Sequence, residues 1–120
     1  MQKRILVVDD DSMNLVRTKM ILGKYYDVLF AESGEEALDK LKKERIDLVL
    51  LDIAMPKMNG IETLERMKKD SIETPVIFLT ASGDEEDVLN AIRLKAVNYL
   101  KKPFRPEELM RRVAQELQKQ

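Results

Sequence analysis

Leu48-Val49-Leu50-Leu51-Asp52-Ile53-Ala54-Met55-Pro56-Lys57-Met58-Asn59-Gly60 is the stretch whose reading decides the fold. Its first four residues are apolar with no polar alternation, the pattern of a short strand buried on both faces of a parallel sheet. An acid follows the strand at once. Turn residues come next, and from Gly60 the chain takes up helical spacing.

Outward from this segment the same unit repeats. Strand-like runs are predicted at Arg4–Val8, Asp27–Ala31, Leu48–Leu51, Val76–Thr80 and Asn98–Leu100. Helical segments are predicted near Met13–Lys24, Gly34–Lys43, Gly60–Lys69 and Asp84–Lys95, with a last one from Pro106 to about Gln118. Ser33 with Glu36, and Ser82 with Glu85, have the spacing of a capping box. Asp11 or Ser12 is the expected cap of the first helix. Pro106 suits a first helical turn, where no backbone N–H is needed. Arg105 is a poor cap, so Glu107 and Glu108 are expected to favour that helix end through the dipole. Leu109, Met110, Val113, Ala114 and Leu117 form one apolar stripe behind it. Five β–α units in strict alternation imply an α/β fold, a doubly wound five-stranded parallel sheet with five helices on both faces. Residues 1–120 are read as one domain, without repeat, linker or low-complexity tract.

Composition narrows the chemistry. The chain has 120 residues, 44% of them hydrophobic, enough for one core without staples. It has no Cys and no His. That excludes disulfides, thiolate nucleophiles, Ser-His-Asp arrangements and the usual zinc sites. A bound metal must therefore be a hard cation held by oxygen. The 21 basic and 22 acidic residues nearly cancel, which gives no field for nucleic acid or an anionic membrane. No direct nucleic-acid binding and no membrane contact are expected. The opening Met1–Arg4 has no apolar run behind it of signal-peptide type, so a cytoplasmic protein is the expectation.

In an open α/β sheet, ligands bind beyond the carboxyl ends of the strands, where strand order reverses. The residues at those ends are Asp9-Asp10-Asp11, Asp52, Thr80 and Lys101-Lys102-Pro103. Clustered carboxylates repel unless a cation compensates them. Mg²⁺ takes one or two carboxylates, waters and a phosphate oxygen. A Lys ammonium and a Thr hydroxyl suit the remaining phosphoryl oxygens. An Asp carboxylate can act as nucleophile and become an aspartyl phosphate. Any one such residue is more often a loop or capping residue; four correct strand ends together are harder to dismiss.

On these residues the chain resembles the receiver domains of bacterial two-component response regulators, over essentially its whole length. Ile5–Asp11 is similar to the family's first strand and acidic pair. Asp52–Gly60 carries the D-x-x-M-P-x-M-x-G pattern, Leu79-Thr80-Ala81 the switch-hydroxyl segment, and Asn98–Phe104 the last-strand signature. The resemblance implies the flavodoxin-like strand order 2-1-3-4-5 known from chemotaxis receivers. It implies phosphorylation of Asp52, with Mg²⁺ bound by Asp9, Asp10, Asp52 and the backbone carbonyl of Ala54. Lys102, not Lys101, would contact the phosphoryl group, and the Lys102–Pro103 bond would be cis. Thr80 would draw toward the phosphoryl group and Tyr99 would turn inward. Ala54 and Ser82 occupy positions that tune phospho-form lifetime; both are small, which predicts modest self-dephosphorylation. The implied partners are a sensor histidine kinase or histidine phosphotransfer protein and a downstream output domain or protein. Homodimerisation on phosphorylation is a further option. Met13, Asn14, Arg17 and Pro56 would face a partner. Such a chain modifies itself and is not an enzyme in the usual sense.

Other readings compete. Asp9-Asp10-Asp11 also fits the D-x-D start of haloacid dehalogenase-like phosphatases, with Asp9 as nucleophile. That reading leaves Met55–Gly60 unexplained and lacks a later acidic pair. A flavin or nucleotide binder would need Gly, Ser and Thr donors after the first strand, where three acids stand. A degenerate receiver used as a scaffold is disfavoured by the complete set of Asp9, Asp10, Asp52, Thr80 and Lys102.

Overall fold

The computed structural model describes residues 2–120. Strand β1 (Arg4–Val8) leads to α1 (Ser12–Leu22), β2 (Asp27–Ala31) to α2 (Gly34–Lys43), and β3 (Leu48–Leu51) to α3 (Gly60–Lys69). Then β4 (Val76–Thr80) leads to α4 (Glu85–Arg93), and β5 (Asn98–Lys101) to α5 (Pro106–Gln118). The five strands are all parallel, in the order β2-β1-β3-β4-β5. The expected fold class and order are both found.

Burial explains the unbroken apolar runs. Along β1, β3 and β4 successive side chains enter two separate cores. Leu6, Val8, Val49, Leu51 and Phe78 join Leu38, Leu64 and Met67 under α2 and α3. Ile5, Val7, Leu48, Leu50, Ile77 and Leu79 join Leu15, Leu22, Leu109 and Val113 under α1 and α5. Each of these β3 side chains is no more than 1% exposed. Burying a Leu- or Val-sized side chain contributes about 1.5–3 kcal/mol relative to exposure, so the central strands anchor both layers.

Helix ends depart from the sequence reading where loops choose the cap. Asp11 caps α1, its carboxylate accepting from the Met13 N–H at 2.9 Å. Ser33 caps α2 through the Glu36 N–H at 3.1 Å. Glu36 does not complete the box, because it accepts from the N–H of Glu32, one residue further out. Asp84, not Ser82, caps α4, accepting from the Glu86 N–H. The reciprocal box occurs instead at Asn59 and Glu62, at the start of α3. Arg105 makes no side-chain cap. The α5 stripe is as predicted, with Leu109, Val113 and Leu117 buried, but Glu116 is also buried at 4% exposure. Its carboxylate meets Asn98 Nδ2 at 3.3 Å and Lys119 Nζ at 3.3 Å.

Candidate functional site

Strand order reverses between β1 and β3, and the residues just beyond those strands share one crevice. Two backbone bonds set their level: the Asp9 N–H donates to Ala31 O at 3.1 Å and the Asp52 N–H to Val8 O at 3.0 Å. Sheet pairing thus carries one residue past each strand and delivers two carboxylates side by side. One oxygen from each of Asp9, Asp10 and Asp52 lies within 4.8 Å of the others. Asp10 is exposed, while Asp9 and Asp52 are only 4% and 8% exposed.

The loop after Asp52 is held by the Ile53 carbonyl, which accepts from the N–H groups of Met55 at 3.0 Å and Gly60 at 2.9 Å. Lys57 within it takes a left-handed backbone, φ 65°. Gly60 sits so close to β3 that a Cβ there would lie 2.2 Å from Asp52 O. The absence of a side chain lets α3 start directly against the end of the strand.

Lys102 reaches the crevice from β5. Its N–H donates to Thr80 O at 2.8 Å, and the Lys102–Pro103 peptide is cis, as expected. The ammonium Nζ lies 3.0 Å from Asp9 Oδ2 and 3.7 Å from Asp52 Oδ2. Lys101 is exposed. Burial pushes the Asp52 carboxyl above its ordinary range; Lys102 opposes the shift and the Asp9 charge adds to it.

Thr80 is fully buried, and its Oγ1 accepts from the Ser82 N–H at 3.1 Å. Tyr99 is half-buried and donates its hydroxyl to Ser82 O at 2.8 Å. Burial raises the Tyr99 phenol above its usual value. Ser82 Oγ donates to Asp87 Oδ2 at 2.7 Å and accepts from the Asp84 N–H at 3.2 Å. One residue therefore touches Thr80, Tyr99 and the first turn of α4. Sequence reading gave Ser82 a role in lifetime and a helix cap; this junction was not visible there, because its partners come from β4, β5 and α4. Ala54 is exposed beside Asp52, its N–H 3.4 Å from Asp52 Oδ1. Of the four residues read as partner-facing, Met13, Arg17 and Pro56 are exposed. Asn14 is half-buried and donates from Nδ2 to Asp9 Oδ2 at 3.1 Å.

This donor set fits a hard divalent cation. All three acidic side chains offer oxygen, no nitrogen or sulfur ligand competes, and the Lys102 ammonium already occupies the place of compensating charge. What the crevice offers is three clustered carboxylates, one ammonium beside two of them, and the buried Thr80 hydroxyl at the end of the neighbouring strand.

Comparison with known proteins agrees with that geometry. Residues 5–114 match the response regulator receiver domain family. The alkaline phosphatase synthesis transcriptional regulatory protein PhoP of Bacillus subtilis (strain 168) is 40% identical, over 94% of this chain and 48% of its own length. The DNA-binding response regulator MtrA of Mycolicibacterium paratuberculosis is 40% identical, over 99% of this chain and 53% of its own. A CheY-like response regulator receiver domain protein from Methanospirillum hungatei JF-1 superposes with a TM-score of 0.94 at 34% identity, covering 99% of this chain and 96% of that one. The chain thus spans about half the length of those two regulators. Their names correct one expectation. Absence of nucleic acid was inferred from balanced charge, yet these relatives are transcriptional and DNA-binding regulators. The charge balance of residues that match only about half of those regulators carries no information about what the rest of those regulators contacts. No described helix is long and apolar enough to cross a membrane.

Proposed function

This chain belongs to the response regulator receiver domain family, and we propose that residues 1–120 form one receiver whose phospho-acceptor is Asp52. The observation that carries this is the Asp9–Asp10–Asp52 cluster with Lys102 Nζ between two of its carboxylates. A phosphatase using Asp9 as nucleophile is not favoured. Asp9 accepts bonds at both oxygens, from Asp11 N–H, Asn14 and Lys102, whereas Asp52 is the acid that the family's loop pattern presents.

In the proposed reaction an Asp52 carboxylate oxygen attacks phosphorus, and the bond from phosphorus to the donor breaks. The donor is a phosphohistidine of a sensor kinase or phosphotransfer protein, or a small acyl phosphate. The leaving group keeps the electron pair: an imidazole, then protonated from solvent, or the carboxylate of the acyl phosphate. Asp9, Asp10 and Asp52, with the carbonyl of Ala54, would hold Mg²⁺, which supplies charge neutralisation at the phosphoryl oxygens when bound. Lys102 turns from the carboxylates to a phosphoryl oxygen as the transferred group arrives. The remaining contribution is positioning in a crevice set by two strand ends.

The output is a population shift. A phosphoryl group that bonds the Thr80 hydroxyl better in one conformer draws the equilibrium toward it. Because Thr80, Ser82, Tyr99 and Asp87 are joined by hydrogen bonds, movement of Thr80 is felt at α4 and β5. Ala54 and the engaged Ser82 hydroxyl leave no free polar group to guide an attacking water, consistent with modest self-dephosphorylation. The modification is a single event per chain, not turnover of a substrate, and it would act in the cytoplasm. From the relatives' roles we place control of transcription downstream, through a further domain or protein.

Incubation with acetyl phosphate and Mg²⁺, read by intact mass, tests the assignment. One added phosphoryl group is expected on the wild type, none on Asp52→Asn, and less on Asp9→Asn or with EDTA. Labelling that persists in Asp52→Asn and vanishes in Asp9→Asn would instead establish the phosphatase-like chemistry.

A further inference from the structure

We propose that Asn14 is a positioning residue of the metal site, holding the Asp9 carboxylate in its ligating orientation beside Lys102 and in its place once Lys102 has moved to the phosphoryl group. The inference rests on the receiver reading above and adds a residue to its machinery.

Asp9 is the most enclosed acid of the cluster, 4% exposed. Its Oδ1 accepts from the Asp11 N–H at 2.9 Å. Its Oδ2 accepts from two side chains, Asn14 Nδ2 at 3.1 Å and Lys102 Nζ at 3.0 Å. Transfer to Asp52 takes Lys102 away from that oxygen. Asn14 is then the one side-chain donor left to Asp9 among the hydrogen bonds of the described residues. Without it the Asp11 N–H at Oδ1 would hold the carboxylate alone, against a terminal torsion that is broad for Asp.

Asn14 itself is well fixed. It lies in the first turn of α1, whose start is capped by Asp11. Its carbonyl accepts from the buried Thr18 hydroxyl at 2.9 Å. The residue type also fits the role. An amide N–H orients a carboxylate without neutralising it, so the acid keeps its full charge for a cation. Lys or Arg at this place would act as a permanent substitute for the metal. Partners that orient metal ligands in this way commonly set affinity as strongly as some ligands do.

The test titrates Mg²⁺ into Asn14→Leu, Asn14→Ala and Asn14→Gln by calorimetry, with thermal unfolding in EDTA as the check on folding. Leu and Ala remove the donor, and Ala serves if Leu disturbs α1; Gln keeps a donor. The Mg²⁺ dissociation constant is expected to rise about tenfold in Leu and Ala and to recover largely in Gln. In acetyl phosphate labelling, the half-saturating Mg²⁺ concentration should move by the same factor, while the rate at saturating Mg²⁺ stays within about twofold. Unchanged Mg²⁺ affinity in Leu and Ala overturns the proposal. So does a defect seen only with a phosphorylated protein donor, which would make Asn14 a docking residue. Equal losses in all three variants with lowered unfolding midpoints would make it a structural one. If the wild type binds Mg²⁺ but is never labelled, the phospho-acceptor assignment fails while the Asn14 measurement still stands.

Discussion

As the proposed acceptor, Asp52 would have to be two things at once, a buried group at the end of a buried strand and an ionised nucleophile. Burial pushes its carboxyl upward, and the neighbouring Asp9 charge adds to that; Lys102 offsets only part. The consequence for stability has a definite sign. A folded-state value above the unfolded one means that the folded chain takes up the proton first as pH falls. The ionised form therefore costs stability at neutral pH, and the cost is relieved as pH falls through the raised folded value toward 3.8. In EDTA, Asp52→Asn is expected to unfold at a higher temperature than the wild type at pH 7, with the gap closing as pH is lowered. Parallel melting curves across that range would show that the burial cost is met by Lys102. The same conflict explains why the site gathers a lysine, a backbone N–H and Asn14 around its two inner acids: each lowers the cost of keeping charge in an enclosed place.

Among the elements, the passage from β3 to α3 carries the site. The strand ends at Leu51, Asp52 stands one residue beyond, and eight residues later Gly60 begins a helix that starts against the same strand end. A Cβ at Gly60 would meet Asp52 O at 2.2 Å and Ile53 Cα at 2.8 Å. These are backbone atoms, which cannot swing aside as a flexible side chain can. Gly60→Ala is expected to lower stability by about 1–3 kcal/mol in urea unfolding and to reduce acetyl phosphate labelling at Asp52. Retained labelling with normal stability would mean that α3 can shift without disturbing the acceptor. The Asn59–Glu62 box at the head of α3 holds the other side of the same junction.

At the scale of the whole molecule, the described residues form two cores back to back across one sheet, and the functional crevice lies at its carboxyl edge. Parts remote in sequence meet there: Lys102 bonds Asp9 across 93 positions. A cation bound by both inner acids therefore ties β1 to β3 in the folded state and has no equivalent site in the unfolded chain. At about 100 times its dissociation constant, such a ligand stabilises the fold by about 2.7 kcal/mol. Mg²⁺ is expected to raise the unfolding midpoint of the wild type and to do so much less in Asp10→Asn, whose exposed position spares the core. An equal gain in both would remove Asp10 from the ligand set.

The sequence by itself determined the architecture and placed Asp52 directly after the central strand β3. Runs such as Leu48–Leu51 and Val76–Thr80 have no polar face, so they can only be central strands, and β1 to β4 fall at the residues expected. An acid directly after such a run has to stand at the sheet's carboxyl edge. Tertiary structure alone decided the finer contacts. Whether Ser82 or Asp84 caps α4 depends on how the loop leaves β4, and Ser82 instead bonds Asp87 while Tyr99 bonds its carbonyl. Glu116 falls beside the apolar stripe of α5, and its burial is made tolerable by Asn98 on β5 together with Lys119. Asn14 reads as a surface residue of an amphipathic helix until β1 brings Asp9 beneath its amide. Periodicity reports which face of an element is buried; which polar atoms meet is set by the distances between elements, and those exist only once the chain has folded.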